Sequence, residues 1–292
     1  MADGNGRQLS HAVLITGCSS GIGRATALRL SAAGYRVYAT ARRRESLADL
    51  AAAGCRTLSL DVTDEASMAV AVRAVEEAEG AVGVLVNNAG YSQSGAVEAV
   101  PMERVRAQFE TNVFGAARLM QLVLPGMRRQ GHGRIVNVSS MGGRLTFPGG
   151  GYYHATKYAL EALSDALRFE ARGFGVGVVL VEPGLIKTNF SEAAVGAMAP
   201  ARPQGDDPYA DFHAAVARAT KESYEKGPLS KLTGTPEDVA AVIQKAVEAR
   251  CPRARYTVSA SAKVLLTQRA LLPDRAWDAF LRGNFPSPGA KA

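Results

Sequence analysis

The chain is poor in the residues that staple small folds or hold metals. Its three cysteines, Cys18, Cys55 and Cys251, lie far apart and form no CxxC pair. That spacing excludes a disulfide framework and a cysteine-based zinc site, and it fits reduced thiols. The four histidines, His11, His132, His154 and His213, are equally dispersed, so no structural metal is expected. No uncharged apolar run reaches the ~20 residues needed to span a bilayer. The opening MADGNGRQLS lacks the charged-then-apolar pattern of a secretory signal. A cytoplasmic protein with no transmembrane segment is the expectation. The net charge is +7, but the arginines are scattered, and the densest run, Arg42-Arg43-Arg44, is too short for a binding arm. Nucleic acid is therefore not an expected partner.

What is present is ordinary globular material. The 292 residues are 47% hydrophobic and 21% charged, with 30 glycines, enough for one sizeable core. Residues 1–10 read as a flexible lead. Residues 12–16 form a continuous apolar run, the mark of a strand buried on both faces. Strands then recur over 36–40, 56–60, 82–86, 134–139 and 176–181. Helices fall between them over 24–33, 45–53, 64–78, 101–129 and 152–172, with Pro125 marking a kink or break in the fourth. This alternation predicts a single α/β domain over 11–260: a doubly wound parallel sheet with helices on both faces. Residues 185–235 break the rhythm and read as an insertion over the sheet. A helix over 236–249 and a last strand over 255–259 follow. The segment 261–292 is amphipathic, carries Trp277, and ends in a disordered tail after Pro286.

Three groups of residues carry chemistry. Thr16-Gly17-Cys18-Ser19-Ser20-Gly21-Ile22-Gly23 follows the first strand. Such a turn either cradles a phosphate at a helix N-terminus or is a tight strand-to-helix connection. Asn87-Asn88-Ala89-Gly90 ends the fourth strand and either lines a crevice or terminates the strand. Ser140 ends the fifth strand, and Tyr153 lies thirteen residues later. Tyr153 and Lys157 are four apart and share a helix face. Alone, that pair also fits a half-exposed helix surface. The adjacent Tyr152 has Thr156 in place of a lysine.

Taken together, in this order and in these places, the residues resemble the short-chain dehydrogenase/reductase family. The matching elements are the TGxxxGIG turn at Thr16–Gly23, NNAG at Asn87–Gly90, Asn112, Ser140, YxxxK at Tyr153–Lys157, and Pro183-Gly184. Tyr38-Ala39-Thr40-Ala41-Arg42 and Val181-Glu182-Pro183-Gly184 resemble the branch that includes 17β-hydroxysteroid and retinol dehydrogenase-like proteins. The resemblance implies a Rossmann-type fold and an oxidoreductase that interconverts an alcohol and a ketone or aldehyde. It implies Tyr153 as acid/base, Lys157 as the cation beside it and the ribose contact, and Ser140 as holder of the substrate oxygen. Asn112 would position a relay water. Gly17, Ser19, Ser20, Gly21, Ile22 and Gly23, with Asn88, Ala89 and Gly90, would form the cofactor cradle. Asp61 and Val62 would flank the adenine, and Pro183, Gly184 and Thr188 the nicotinamide, with Gly184 sparing it a clash.

The position that selects NAD with a carboxylate falls at Ala41, and Arg42 follows, so NADP(H) is expected over NAD(H). Leu185, Ile186, Phe190, Ala193, Ala194, Val195, Met198, Tyr209 and Phe212 suggest a lid over an apolar pocket for a steroid-, retinoid- or lipid-like substrate. Apolar residues on two faces of the helices at 103–129 and 152–172 suggest a homodimer or homotetramer. The rival reading is a non-catalytic NADP-binding scaffold on the same fold. Such a scaffold would be free to lose Tyr153 or Lys157, and neither is lost.

Overall fold

The structure, a computed structural model, describes residues 9–188, Gly196 and residues 207–288. Seven strands form one sheet in the order β3-β2-β1-β4-β5-β6-β7. These are β1 (Ala12–Ile15), β2 (Arg36–Ala41), β3 (Arg56–Ser59), β4 (Val84–Asn87), β5 (Gly133–Val138), β6 (Val176–Pro183) and β7 (Arg255–Val258). Every pairing is parallel. Strand β1 is apolar at every position because both faces are covered. Val13 and Ile15 join Val37, Val86 and Val136 in one core, while Ala12 and Leu14 join Leu85, Ile135 and Val178 in the other. Helices α1 (Gly21–Ala32) and α2 (Ala48–Ala52) close the first core through Leu30 and Leu50. Helix α3 (Glu65–Glu79) closes the second through Met68, Val72 and Val75. Truncating a fully buried strand residue such as Leu85 to alanine would cost ~2–5 kcal/mol.

The expected helix over 101–129 is present but built in three parts. Helix α4 (Met102–Phe109) runs through a π turn at Glu110–Phe114 into α5 (Gly115–Gln130). The helix does not end at Pro125, which lies inside α5. The irregularity falls at the π turn, which widens one helical turn and places Asn112 at its centre. Helix α6 (Gly151–Glu170) carries Tyr153 and Lys157.

Beyond β6 the described residues include α7 (Ala210–Glu225) and α8 (Pro236–Glu248). A capping box between Thr235 and Asp238 starts α8, and its Val239 and Ile243 complete the first core. Phe212 and Val216 of α7 pack on Ala96, and His213 Nε2 accepts from the Ala96 amide at 2.9 Å. Of the residues expected to form a lid, Phe190, Ala193, Ala194, Val195 and Met198 lie outside the described residues. The C-terminal amphipathic stretch is two helices, α9 (Ala260–Leu271) and α10 (Asp274–Arg282), broken at Pro273. Trp277 is buried among Met141, Leu145, Leu185, Leu265 and Leu266, which ties the end of the chain to the loop after β5. Among the described residues no helix is long and apolar enough to cross a membrane.

Candidate functional site

The strand order reverses between β1 and β4, and the crevice that this opens lies at the C-terminal ends of the strands. A cleft of about 590 Å³ sits there. Of the residues that the sequence singled out for the site, all but Gly23 and Asn112 line it.

Thr16 ends β1 and organises the glycine-rich turn, a task the sequence reading did not assign to it. Its hydroxyl accepts from the amides of Asn88 (3.0 Å) and Ala89 (2.9 Å). The Asn88 side chain returns a bond to Thr16 O at 2.9 Å and another to Gly17 O at 3.1 Å. Gly17 (φ 72°) and Gly21 (φ 57°) adopt left-handed backbone that side chains rarely tolerate. Gly23 serves packing: a Cβ there would lie 2.5 Å from Asn88 Nδ2. Helix α1 starts with no side-chain cap and no acidic residue in its first turn. Its orphan N–H groups and dipole are left for an anion, so this cradle fits a dinucleotide pyrophosphate.

At the other rim, Ala41 ends β2 and lines the cleft beside an exposed Arg42. Arg42 makes no ion pair among the described residues. Asp61 Oδ1 accepts from the Thr63 amide and hydroxyl at 2.9 and 2.8 Å, which shapes the turn after β3.

At the deep end Ser140, Tyr153 and Lys157 converge. Burial pushes the Tyr153 phenol up to about 12, with a hydrogen bond from Ser140 pulling the other way. Burial brings the Lys157 ammonium down to about 8, opposed by the Glu161 carboxylate one turn along α6. Lys157 Nζ donates to Val138 O at 2.9 Å and lies 5.8 Å from the Tyr153 ring centroid. Tyr152 turns away and donates to Val97 O at 3.0 Å.

Asn112 and Gly184 also have structural tasks. The Asn112 side chain is already committed. Its Oδ1 accepts from the Tyr91 amide at 3.0 Å, and its Nδ2 donates to Tyr91 O at 2.8 Å and to Thr156 Oγ1 at 3.1 Å. It holds the Gly90–Tyr91 loop against α6. Gly184 is glycine for a reason internal to the fold: a Cβ would lie 2.5 Å from Ser259 Oγ and 2.8 Å from Ala262 Cβ at the start of α9.

Beneath the site lies an ionic cluster with no local signal in the sequence. Arg255 of β7 reaches Glu161 (2.9 Å) and Asp165 (2.6 Å) of α6 and Glu182 (3.3 Å) of β6. Arg144, in the loop after Ser140, joins Glu182 at 3.4 Å, and Thr257 donates to it at 2.9 Å. Bonded partners here are up to 94 residues apart in the chain, as Arg255 and Glu161 are, so only the fold brings them together. Tyr224 of α7 also lines the cleft and was not singled out from the sequence.

Comparison with known proteins agrees with this geometry. The family model described as short chain dehydrogenase matches residues 11–198. The chain is 35% identical over 272 residues to 3-ketodihydrosphingosine reductase of Bacteroides thetaiotaomicron, covering 92% of this chain and 96% of that protein. It is 36% identical over 269 residues to 17-beta-hydroxysteroid dehydrogenase type 1 of Homo sapiens, covering 88% and 80%. A solved short-chain dehydrogenase from Streptomyces avermitilis superposes with a TM-score of 0.76 at 39% identity, covering 94% of this chain and 98% of that one. The chain belongs to the short-chain dehydrogenase/reductase family and is an NAD(P)-dependent oxidoreductase acting on CH–OH groups.

Proposed function

We propose that this enzyme uses NADP(H) in preference to NAD(H) and interconverts an apolar alcohol and its ketone or aldehyde, with Tyr153 as acid/base. The carrying observation is the convergence of Ser140, Tyr153 and Lys157 between two unlike surroundings. On one side is the glycine-rich cradle. On the other, Met141 and Leu185 line the cleft and are backed by Leu265, Leu266 and Trp277. Apolar backing favours a substrate with little to hydrogen-bond beyond its reacting oxygen. The substrates named for the Bacteroides and human relatives, a ketodihydrosphingosine and a hydroxysteroid, are both largely hydrocarbon.

When bound, the nicotinamide supplies or accepts the hydride at the substrate carbon. The protein's own groups handle the oxygen. Ser140 holds it, and the protonated phenol of Tyr153 gives it a proton as a carbonyl becomes an alcohol. Lys157 carries its positive charge at neutral pH and steadies the phenolate that remains. Asn112, which fixes the Gly90–Tyr91 loop beside Lys157, would position a relay water. Arg42 would meet the 2′-phosphate where Ala41 leaves no carboxylate to repel it. Helix α7, which brings Tyr224 to the cleft, forms the described part of a cover over the substrate end.

A homodimer or homotetramer remains part of this reading. Leu119 and Leu160 face the sheet, while Phe114, Leu163 and Phe169 are exposed on the outer side of the same two helices. The function is tested by following NADPH absorbance with a panel of estrone, retinal, decanal and 3-ketodihydrosphingosine. Turnover of at least one is expected, and NADPH binding without turnover of any would favour the scaffold.

A further inference from the structure

In the sequence His154 reads as one more residue on a helix face, and the mechanism above leaves it idle. The structure buries it: 8% of the residue is exposed, and its ring stands edge-on to Tyr153 with centroids 5.7 Å apart. Both ring nitrogens meet the main chain of the loop that follows Ser140. Nδ1 lies 3.0 Å from Gly142 O, and the Phe147 amide lies 3.2 Å from Nε2. A carbonyl oxygen can only accept and an amide N–H can only donate. The two partners therefore select one neutral tautomer, with the proton on Nδ1 and the lone pair on Nε2.

Gly142 passes the constraint onward. Its own N–H donates to Ser140 Oγ at 3.0 Å. Ser140 Oγ also shares a hydrogen bond with Tyr153. The chain of contacts thus runs from Phe147 through the imidazole to the Gly142 carbonyl, and from the N–H on the other side of the Gly142 Cα to the serine hydroxyl. The local sequence is cut to admit the ring. A Cβ on Gly142 would lie 2.5 Å from His154 Nδ1, and one on Gly150 would lie 2.8 Å from Nε2. Neither glycine has a positive φ, so it is the ring's space that calls for them. The titratable neighbours are Tyr153 and Lys157 on the same helix and Tyr224 of α7 across the cleft. From the loop, Arg144 is engaged by Glu182. Burial holds the imidazole below its ordinary value, which keeps Nε2 free to accept at neutral pH.

We propose that His154 is a positioning residue that, as a neutral imidazole, fixes Ser140 beside Tyr153 by anchoring Gly142, whose carbonyl it holds and whose N–H holds the serine hydroxyl. The proposal rests on the role given to Ser140 above, but its test needs no turnover, so an inactive substrate panel and a failed relay are separate results. Asparagine reproduces the Nδ1 donor toward Gly142 and lacks the Nε2 acceptor; glutamine places its polar atoms farther out, toward Phe147. Amide hydrogen exchange of Gly142, followed by NMR, separates them. In H154N the Gly142 amide should exchange within ~2-fold of wild type, and in H154Q at least ~10-fold faster. Equal acceleration in both variants, or none in either, would overturn the relay. Trp277 is the single tryptophan and lies 5.9 Å from Phe147, so its emission reports the other arm. Protonating Nε2 removes the acceptor for the Phe147 amide. Emission should therefore change as pH falls, with a midpoint below the ordinary histidine value of ~6.5, and H154N should abolish the change. Persistence of the same transition in H154N would refute the assignment.

Discussion

The charge on Lys157 depends on a carboxylate that touches no substrate, and that dependence can be measured. A buried ammonium with a value of about 8 is some nine-tenths charged at pH 7 and half charged at pH 8. Glu161, one helical turn away, holds that value up against burial. Opposite unit charges ~6 Å apart at an effective dielectric of about 20 interact by ~2.8 kcal/mol. Arg255, 2.9 Å from the same carboxylate, offsets a large part of this. A residue of ~1.4 kcal/mol corresponds to about one pH unit. Glu161→Gln keeps the shape and removes the charge, so the Lys157 value should fall to about 7. The direction is fixed: losing a nearby negative charge disfavours the ammonium. The ammonium is also the proposed ribose contact, so NADPH affinity should weaken as pH rises through the Lys157 value. Titrating NADPH fluorescence between pH 6 and 9.5 would locate that midpoint in wild type and variant. Tyr153, pushed up to about 12, does not titrate in this window. A midpoint that stays put, or moves upward, would refute the coupling. Glu182 is the control: it lies in the same cluster but is not among the groups that set the Lys157 value. Glu182→Gln should therefore shift the midpoint less than Glu161→Gln does.

Arg42→Ala should weaken NADP(H) binding by about 10- to 150-fold, the ~1.5–3 kcal/mol of one charge-assisted contact, and leave NAD(H) nearly unchanged; titration of both cofactors decides it. Tyr153→Phe should lower turnover by ~10²–10⁴ with little effect on cofactor affinity, as read from steady-state kinetics alongside NADPH binding. Gly184→Ala drives a methyl against Ser259 and Ala262. It should cost ~1–3 kcal/mol by overpacking, seen as a lower midpoint in denaturant unfolding, and equal stability would show that α9 yields freely.

The alternation of strands and helices was readable because a sheet covered on both faces needs unbroken apolar runs such as Ala12–Ile15. The dinucleotide end of the cleft was readable for a related reason. It is built from turns immediately after strands, so Gly17, Asn88 and Ser140 are marked by their place in the chain as well as by type. Other features had no such mark. The first helix begins at Gly21, inside the stretch read as a turn, because helix entry there is set by the cradle and not by propensity. The π turn around Asn112 inserts a residue without any helix-breaking signal, whereas Pro125, which carries that signal, sits quietly within α5. His154 looked idle because its partners are main-chain atoms, which have no side-chain identity to read. The Arg255 cluster escaped because charge pairs between separate elements leave no periodicity.

The last helices carry a consequence for how this protein can be altered. Trp277 and its neighbours on α9 back the apolar end of the cleft and contribute nothing to the glycine-rich cradle. The glycine-rich cradle is complete in the chain by Gly90, whereas the apolar backing at the other end of the cleft draws on the final few dozen residues. A chimera that exchanges everything after β7 for the corresponding piece of a relative would keep its coenzyme and inherit a new substrate wall. The order of synthesis follows the same division: a ribosome releasing this chain completes the coenzyme cradle first and the chamber's back wall last.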